Sequence, residues 1–331
     1  MGGMKIITKV IAALIAALAI FSTASNAVAQ SGYPDRAVRM ILGYPPAGPV
    51  DIIARIMADR LSQIWGQPVV VENVSGAGGN IAGDRVAKTA PDGYTLLMAT
   101  NAQIAINPSL YSKMTYDPAK DLLPISQAVY SPNILVVPND VPAKSVQELV
   151  AYARANPGRL SFASAGVGTT QHLAGELFKV MAHIDIQHVP YRGAAPMITD
   201  LLGGRITMSF IAIAPAIPLV REGKLRALAV TSAKRFGAAP ELPTMIEAGF
   251  PDFVSILSIG LMAPAKTPPA IIEKIHQDSV KALATPEIRK RLSDIGMEVI
   301  GNSPKEFAAA LKAEAPLWAK VIKDAGIAPS N

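Results

Sequence analysis

Short apolar blocks recur along the chain at 37–43, 68–74, 94–99, 134–138, 160–164, 186–190, 206–211, 226–231 and 259–263, and each reads as a strand. Between them, apolar residues return at helical spacing, predicting helices over 50–65, 80–89, 145–155, 170–182, 195–202, 215–222, 269–284, 286–294 and 304–325. Proline and glycine mark the joints, at Tyr44-Pro45-Pro46, Asn156-Pro157-Gly158, Ala263-Pro264 and Thr267-Pro268-Pro269. Strands alternating with helices predict an α/β fold built on mostly parallel sheets.

Residues 1–29 stand apart from this pattern. Lys5 and Lys9 form a basic start, Val10 to Phe21 an apolar stretch, and Ala27-Val28-Ala29 a small-x-small site before Gln30. This is an export signal, with cleavage expected after Ala29 and a periplasmic product. The apolar stretch falls short of the roughly 20 residues a membrane helix needs, and no later stretch is long and apolar enough to cross a bilayer. A surface-tethered form is the alternative.

The roughly 300 residues after the signal exceed what one small core organises, so two domains are expected. There is no cysteine, which removes disulfides, cysteine–zinc sites and thiol catalysis. The formal charge of +6 includes Lys5 and Lys9 of the signal, and the other basic residues are scattered among acids, so no nucleic-acid stripe forms.

Two stretches about 120 residues apart share one plan of strand, small-residue loop and helix. The first loop is Tyr44-Pro45-Pro46-Ala47-Gly48-Pro49-Val50-Asp51, and the second is Ser164-Ala165-Gly166-Val167-Gly168-Thr169-Thr170. Small residues let a ligand approach the backbone, and the free N–H groups and positive dipole end of a helix N-terminus favour an anion. A carboxylate held between two lobes is the reading this pair suggests. Pro49 suits a first helical turn, Asp51 reads first as a capping acid and second as a ligand contact, and Thr169 or Thr170 caps the second helix or donates to a carboxylate. Asn101, just past the third strand, joins the candidate ligand set.

Other candidate chemistry is weaker. Gly76-Ala77-Gly78-Gly79-Asn80 misses the dinucleotide spacing, whose third glycine would fall at Ile81, and reads as a glycine turn lining the same cleft. Ser164 sits in half of a nucleophile elbow, without its first glycine. None of His172, His183, His188 and His276 has the sequence context of a triad, so a periplasmic hydrolase using Ser164 is an alternative that needs a histidine close in space. His172 and Glu176 share a helix face and read as a surface pair rather than the start of a metal site. No metal and no cofactor are expected. Tyr191-Arg192-Gly193 opens a helix at the same sheet edge, where Arg192 could match a second carboxylate, and Phe210 is core or a wall of the site.

As a whole the chain after the signal resembles the TctC-like, or Bug, family of extracytoplasmic solute receptors associated with tripartite tricarboxylate transporters. The landmarks are YPPAGPVD at 44–51, VVVENVSGAGGNIAGDRVAKTAPDGYTLL at 69–97, NPSLY at 107–111, HLAGELF at 172–178, HVPYRGAAP at 188–196, DLLGGRI at 200–206 and GKLRALAVTSAKR at 223–235. The resemblance implies a two-lobed periplasmic binding protein of Venus-flytrap type, with mixed, mostly parallel sheets flanked by helices and two interlobe crossings. It implies a first lobe of 30–125 plus 252–331 and a second of 126–251, with a small carboxylate between the loops at 44–51 and 164–170. The expected protein is a monomeric, non-enzymatic receptor that delivers its ligand to the permease subunits of such a transporter, or a ligand sensor for a membrane kinase. Three positions depart from the family's habit: Ala47 stands in a loop that commonly reads P-P-G-G, Ile211 where an acid is frequent, and Ser258 where a tryptophan is frequent. The loss of an acid and a ring implies a roomier, more apolar far pocket. The expected ligand is an aromatic mono- or dicarboxylate such as terephthalate, otherwise a di- or tricarboxylate.

Overall fold

The structure, a computed structural model, describes residues 32–329, so the signal expected at 1–29 lies outside the described residues. Its strands are β1 (Val38–Leu42), β2 (Val69–Asn73), β3 (Thr95–Thr100), β4 (Leu122–Val137), β5 (Leu160–Ser164), β6 (Ile186–Pro190), β7 (Met208–Ala212), β8 (Arg226–Val230), β9 (Ile256–Pro264) and β10 (Glu298–Val299). The longer helices are α1 (Pro49–Trp65), α2 (Asn80–Ala87), α3 (Val146–Ala155), α4 (Thr170–Ala182), α5 (Ala194–Leu202), α6 (Ile213–Arg221), α7 (Pro269–Leu283), α8 (Pro286–Asp294) and α9 (Pro304–Asp324). No helix is long and apolar enough to cross a membrane among the described residues.

The strand path runs β2-β1-β3-β9-β4-β7-β5-β6, with β8 and β10 also pairing with β4. The outer strands pair in parallel, β1 with β2 and β3, β5 with β6 and β7, whereas every pairing of β4 and β9 is antiparallel. The result is two lobes of mixed sheet flanked by helices, joined by two crossings. The first crossing is β4 itself: up to Pro132 it pairs with β9, and from Asn133 it pairs with β7, then β8. The second is the stretch between β8 and β9. Thr231 binds the crossings together, its hydroxyl accepting the Asn133 N–H at 2.9 Å and donating to the Ser255 carbonyl at 2.6 Å.

Each sheet is covered on both faces, as parallel strands require. In the first lobe one core gathers Met40, Ile53, Met57 and Ile275, and the other Ile41, Leu97, Met262 and Phe307. In the second, one gathers Phe162, Phe178, Phe210 and Phe253, and the other Ile134, Met197, Ile211 and Phe236. Helix α9 serves both lobes, placing Phe307 and Leu311 in the first and Trp318, Val321 and Ile322 in the second.

The strand expected at 134–138 is the end of the long β4. Its earlier part is interrupted in sequence by Pro124, Ser131 and Pro132; in the structure its register with β9 shifts between Pro124 and Ser126 and between Gln127 and Val129, and runs unbroken through Ser131 and Pro132 to the point where β4 leaves β9. Two features carry no sequence signal that periodicity detects: the two-residue strand β10, and the helical turns over Ala102–Ile106 and Asn107–Leu110.

Candidate functional site

A cavity of about 440 Å³ opens between the lobes. The N-terminal ends of α1 and α4 both reach it, through Gly48, Pro49 and Val50 on one side and Thr169, Thr170 and Gln171 on the other. In the first turn of a helix the N–H groups have no intrahelical acceptor, so those of Val50, Asp51, Thr170 and Gln171 are available, while Pro49 has none to leave unpaired. Pro45, Val50, Leu110, Val167 and Leu257 make much of the remaining wall apolar, and no Lys, Arg, His, Asp or Glu lines it among the described residues. Polar groups come from Tyr44, Thr100, Asn107 and Tyr111. An anion here is met by amides, hydroxyls and two helix dipoles rather than by a cation.

The first loop is caged by a buried carboxylate. Asp51, 3% exposed, accepts the Ala47 N–H at 2.9 Å, the Asn73 amide at 3.0 Å and the Arg55 Nε–H at 2.9 Å. Those donors, Arg55 first, hold its pKa down at about 2 against the opposing effect of burial. Asp51 is therefore a structural acid, but it turns back to the loop; the cap position is Gly48, which offers no side chain. Asn73 also donates to the Tyr44 carbonyl at 3.0 Å, so both ends of the loop are tied to one strand end. Ala47 lies at φ 64, a left-handed conformation that glycine adopts freely and alanine does not.

The glycine turn, expected to line the cleft with its glycines in left-handed conformations, packs behind this loop with Gly76, Gly78 and Gly79 at φ 136, 62 and 94. Gly78 lines the cavity, and its carbonyl accepts the Asn107 amide at 3.1 Å. A side chain at Gly43 would collide with Gly79, which is why two glycines meet there. The Tyr44 hydroxyl sits 2.6 Å from that of Thr100, and burial raises its pKa.

The second loop is held by neutral groups. Thr169 caps α4, accepting the His172 N–H at 3.3 Å and donating to the Gly166 carbonyl at 2.7 Å. His172 Nδ1 accepts the Gly168 N–H at 3.1 Å, so that amide is spent inside the protein. Ser164 is fully buried, its Oγ 2.7 Å from His188 Nε2, 3.1 Å from the Gly166 carbonyl and 3.3 Å from the Gly166 N–H it accepts. The histidine that a hydrolase requires is thus present, yet the serine does not line the cavity and its hydroxyl is engaged with the loop backbone.

His172 and His188 stack with ring centroids 4.0 Å apart and planes 22° apart, and Phe162 lies 4.8 Å beyond His188. Burial depresses both histidines to a pKa of about 4; repulsion between the two rings, should both take a proton, adds to this for His172, and the Lys179 ammonium does so for His188. Glu176 is far from the surface pair that its spacing suggested: both it and His172 are buried, and burial raises the Glu176 pKa. Donor atoms of His172, Glu176 and His188 lie within 4.8 Å of one another. Stacked rings aim their in-plane lone pairs side by side, and the Gly168 bond to Nδ1 leaves the His172 proton on Nε2, facing Glu176 at 3.8 Å. The three groups pack together without a hydrogen bond to one another: His172 bonds to Gly168, His188 to Ser164, and Glu176 Oε2 has no hydrogen-bond partner among the described residues.

Of the expected ligand residues, Tyr44, Pro45, Gly48, Gly168, Thr169 and Thr170 line the cavity. Pro46, Ala47, Asp51, Ala165, Gly166 and Ser164 shape its loops without lining it. Phe210 and Ile211 are fully buried on opposite faces of β7, in separate cores, so of the two readings of Phe210 the structure has core and not ligand wall, and the far-pocket position expected of Ile211 is corrected. Asn101 and Ser258 bind each other instead of the cavity: Asn101 Oδ1 accepts the Ser258 N–H at 3.0 Å, and its amide donates to the Ile256 carbonyl at 3.1 Å and to Glu314 at 2.8 Å. Leu257, beside Ser258, is the residue in the wall. The Tyr191 hydroxyl donates to Asp200 at 2.7 Å and Arg192 is exposed, neither lining the cavity. Thr100, Asn107, Leu110 and Tyr111 were missed as lining residues, although the segment 107–111 stood out as a landmark in the sequence.

The comparisons with known proteins agree with this architecture. BugT of Bordetella pertussis is 36% identical over 317 residues, 95% of this chain and 97% of its own. A solved structure of R. palustris Rpa4515 with adipate is 38% identical at a TM-score of 0.74, covering 90% of this chain and 100% of that one. MatC from Rhodopseudomonas palustris with bound malate is 31% identical at a TM-score of 0.70, covering 88% of this chain and 100% of its own. The family model described as the tripartite tricarboxylate transporter family receptor matches residues 53–327, and the chain belongs to that family.

Proposed function

We propose that this protein is a periplasmic receptor that closes its two lobes on a small carboxylate with an apolar body and presents the closed form to the permease subunits of a tripartite tricarboxylate-type transporter. The observation that carries the reading is the cavity itself, where two helix N-termini meet over walls that are apolar and without charge. Closure removes water from the anion and strengthens its pairing with the loop amides, and that differential affinity drives the hinge. The related proteins solved with adipate and with malate support a carboxylate ligand.

An aromatic mono- or dicarboxylate such as terephthalate is the ligand class we favour, because Tyr44, Tyr111, Pro45 and Leu257 offer faces to a flat apolar body. In this reading the lobes are 30–125 with 252–331 and 126–251, the signal is removed after Ala29, and the receptor acts as a monomer without metal or cofactor. Binding without catalysis is favoured over hydrolysis because Ser164 is buried and bound to its own loop.

A thermal-shift screen of the protein beginning at Gln30, against aromatic, dicarboxylic and tricarboxylic acids, tests this. A ligand at 100 times its dissociation constant adds about 2.7 kcal/mol to stability. Stabilisation by aromatic acids is the expected result. Tight binding of citrate or aspartate with no response to aromatic acids overturns the ligand class, and no response to any carboxylate overturns the carboxylate reading and favours another ligand chemistry or the hydrolase.

A further inference from the structure

The receptor reading uses the second loop but leaves unexplained why a pair of stacked histidines is buried beneath it. Three observations bear on this. The Gly168 N–H, on a residue at φ 79 in the cavity wall, points away to His172 Nδ1 at 3.1 Å. At the other end of the loop, both polar groups of Gly166 meet Ser164 Oγ, which in turn lies 2.7 Å from His188. The groups that face the histidines are Glu176 and Lys179 from α4, while Phe162 from β5 stacks on them without charge.

A histidine accepts an N–H at Nδ1 only when that nitrogen is bare. His172 meets this condition because its ring is buried against a second ring and kept neutral. A protonated ring would set N–H against N–H and release Gly168. The loop then loses the bond that holds its glycine in the left-handed conformation, and the first-turn amides of α4 lose their fixed direction toward the cleft.

We propose that His172 is a positioning residue for the second loop: by accepting the Gly168 N–H it fixes the loop so that the amides of Thr170 and Gln171, and not that of Gly168, are presented to the ligand. Its effect on affinity rests on the receptor reading above; its effect on the loop does not. His188 has the companion role at the other end, acting through Ser164 on Gly166.

The test separates the two. His172→Asn keeps an acceptor near the place of Nδ1, His172→Leu removes it, and His172→Gln carries its polar atoms one bond further out should the leucine variant fail to fold. Amide exchange followed by NMR on the whole chain beginning at Gln30 should show Gly168 protected in the wild type and in His172→Asn. Exchange should be about tenfold or more faster in His172→Leu or His172→Gln. Equal protection in all of them overturns the proposal. Benzoate, terephthalate and adipate are then titrated by calorimetry. For any that binds the wild type, His172→Leu or His172→Gln should weaken the affinity about tenfold and His172→Asn should restore it to within about threefold. Wild-type affinity in His172→Leu overturns the role in presentation. If none of the acids binds the wild type, the carboxylate reading suffers, and the Gly168 amide alone still decides whether His172 sets the loop.

Discussion

The two loops at the cleft do one job with opposite chemistry. Around 44–51 the backbone is tied to an ionised carboxylate: Asp51 gathers an amide, an asparagine and an arginine, and prolines stiffen the approach. Around 164–170 it is tied to neutral groups, an imidazole and a hydroxyl, with glycines supplying the unusual backbone angles. An anion-facing loop needs its own hydrogen bonds settled before the ligand arrives, so that free amides point one way. The comparison shows that either a buried charge with its partners or a stacked neutral pair can do this. The two solutions differ in what disturbs them.

The glycines give the largest separation. Gly168 lies at φ 79, and a Cβ there would come 2.8 Å from Leu110 Cδ2. Gly48 lies at φ −78 with the Pro45 carbonyl 3.5 Å from a built Cβ, an ordinary contact. Gly168→Leu should therefore lower stability by about 2–4 kcal/mol and abolish binding, since it adds backbone strain to overpacking. Gly48→Leu should abolish binding with a stability change under about 1 kcal/mol. Urea melts and titration with a screened acid check both. Equal loss of stability in the two variants would erase the distinction between the loops.

Acidity sharpens the contrast. The histidines have folded pKa values of about 4, below the usual 6.5, so the unfolded chain binds more protons between those values and stability falls as pH drops from about 6.5 to 4. Asp51 is lowered from 3.8 to about 2, so its contribution is full above 3.8 and is lost only as pH falls toward 2. The first window should lower stability on the order of 2–3 kcal/mol, less than the sum of two separate shifts because the stacked histidines titrate as one coupled pair. A His172→Asn, His188→Gln double variant should flatten that upper window in melts taken at intervals of pH. The same slope in the double variant would assign the titration elsewhere. Asp51→Asn should leave the upper window intact while lowering stability by about 1–3 kcal/mol at pH 7, because Arg55 and the Ala47 N–H lose a charged acceptor.

Much of this comparison was legible in the sequence, and the illegible part has physical causes. Both loops were found because small residues between an apolar strand and an amphipathic helix are a local pattern. The role of Asp51 was half visible: its type and position said structural acid, but its partner Asn73 is brought in by strand pairing and not by spacing. His188 could not be linked to Ser164 or His172 from sequence, since β5 and β6 align them only through the register Phe162↔His188 and Ser164↔Pro190. Ile211 and Ser258 were read as pocket positions from family habit, whereas alternation along β7 sends Ile211 into a core and Asn101 draws Ser258 into the crossing. Thr100, Asn107 and Tyr111 belong to a strand end and an irregular helical turn, where no period marks which side faces the ligand.

The smallest expected effect concerns the one residue of the first loop that carries the strain glycine bears in the second. Ala47, at φ 64, is exposed and does not line the cavity, so its methyl group gains little from neighbours. A left-handed alanine costs about 1 kcal/mol or more, and glycine recovers that at a penalty of about 0.4–1 kcal/mol for a freer unfolded chain. Ala47→Gly should then raise stability by up to about 0.5 kcal/mol, with affinity unchanged within about threefold because the amide at 47 still meets Asp51. Chemical denaturation with matched m-values resolves a shift of that size only in repeated melts, so the informative outcome is the sign. A clear destabilisation would mean that the freer unfolded chain of the glycine variant outweighs the backbone strain relieved at 47, so that this strain, unlike that glycine takes up at 168, costs the first loop little.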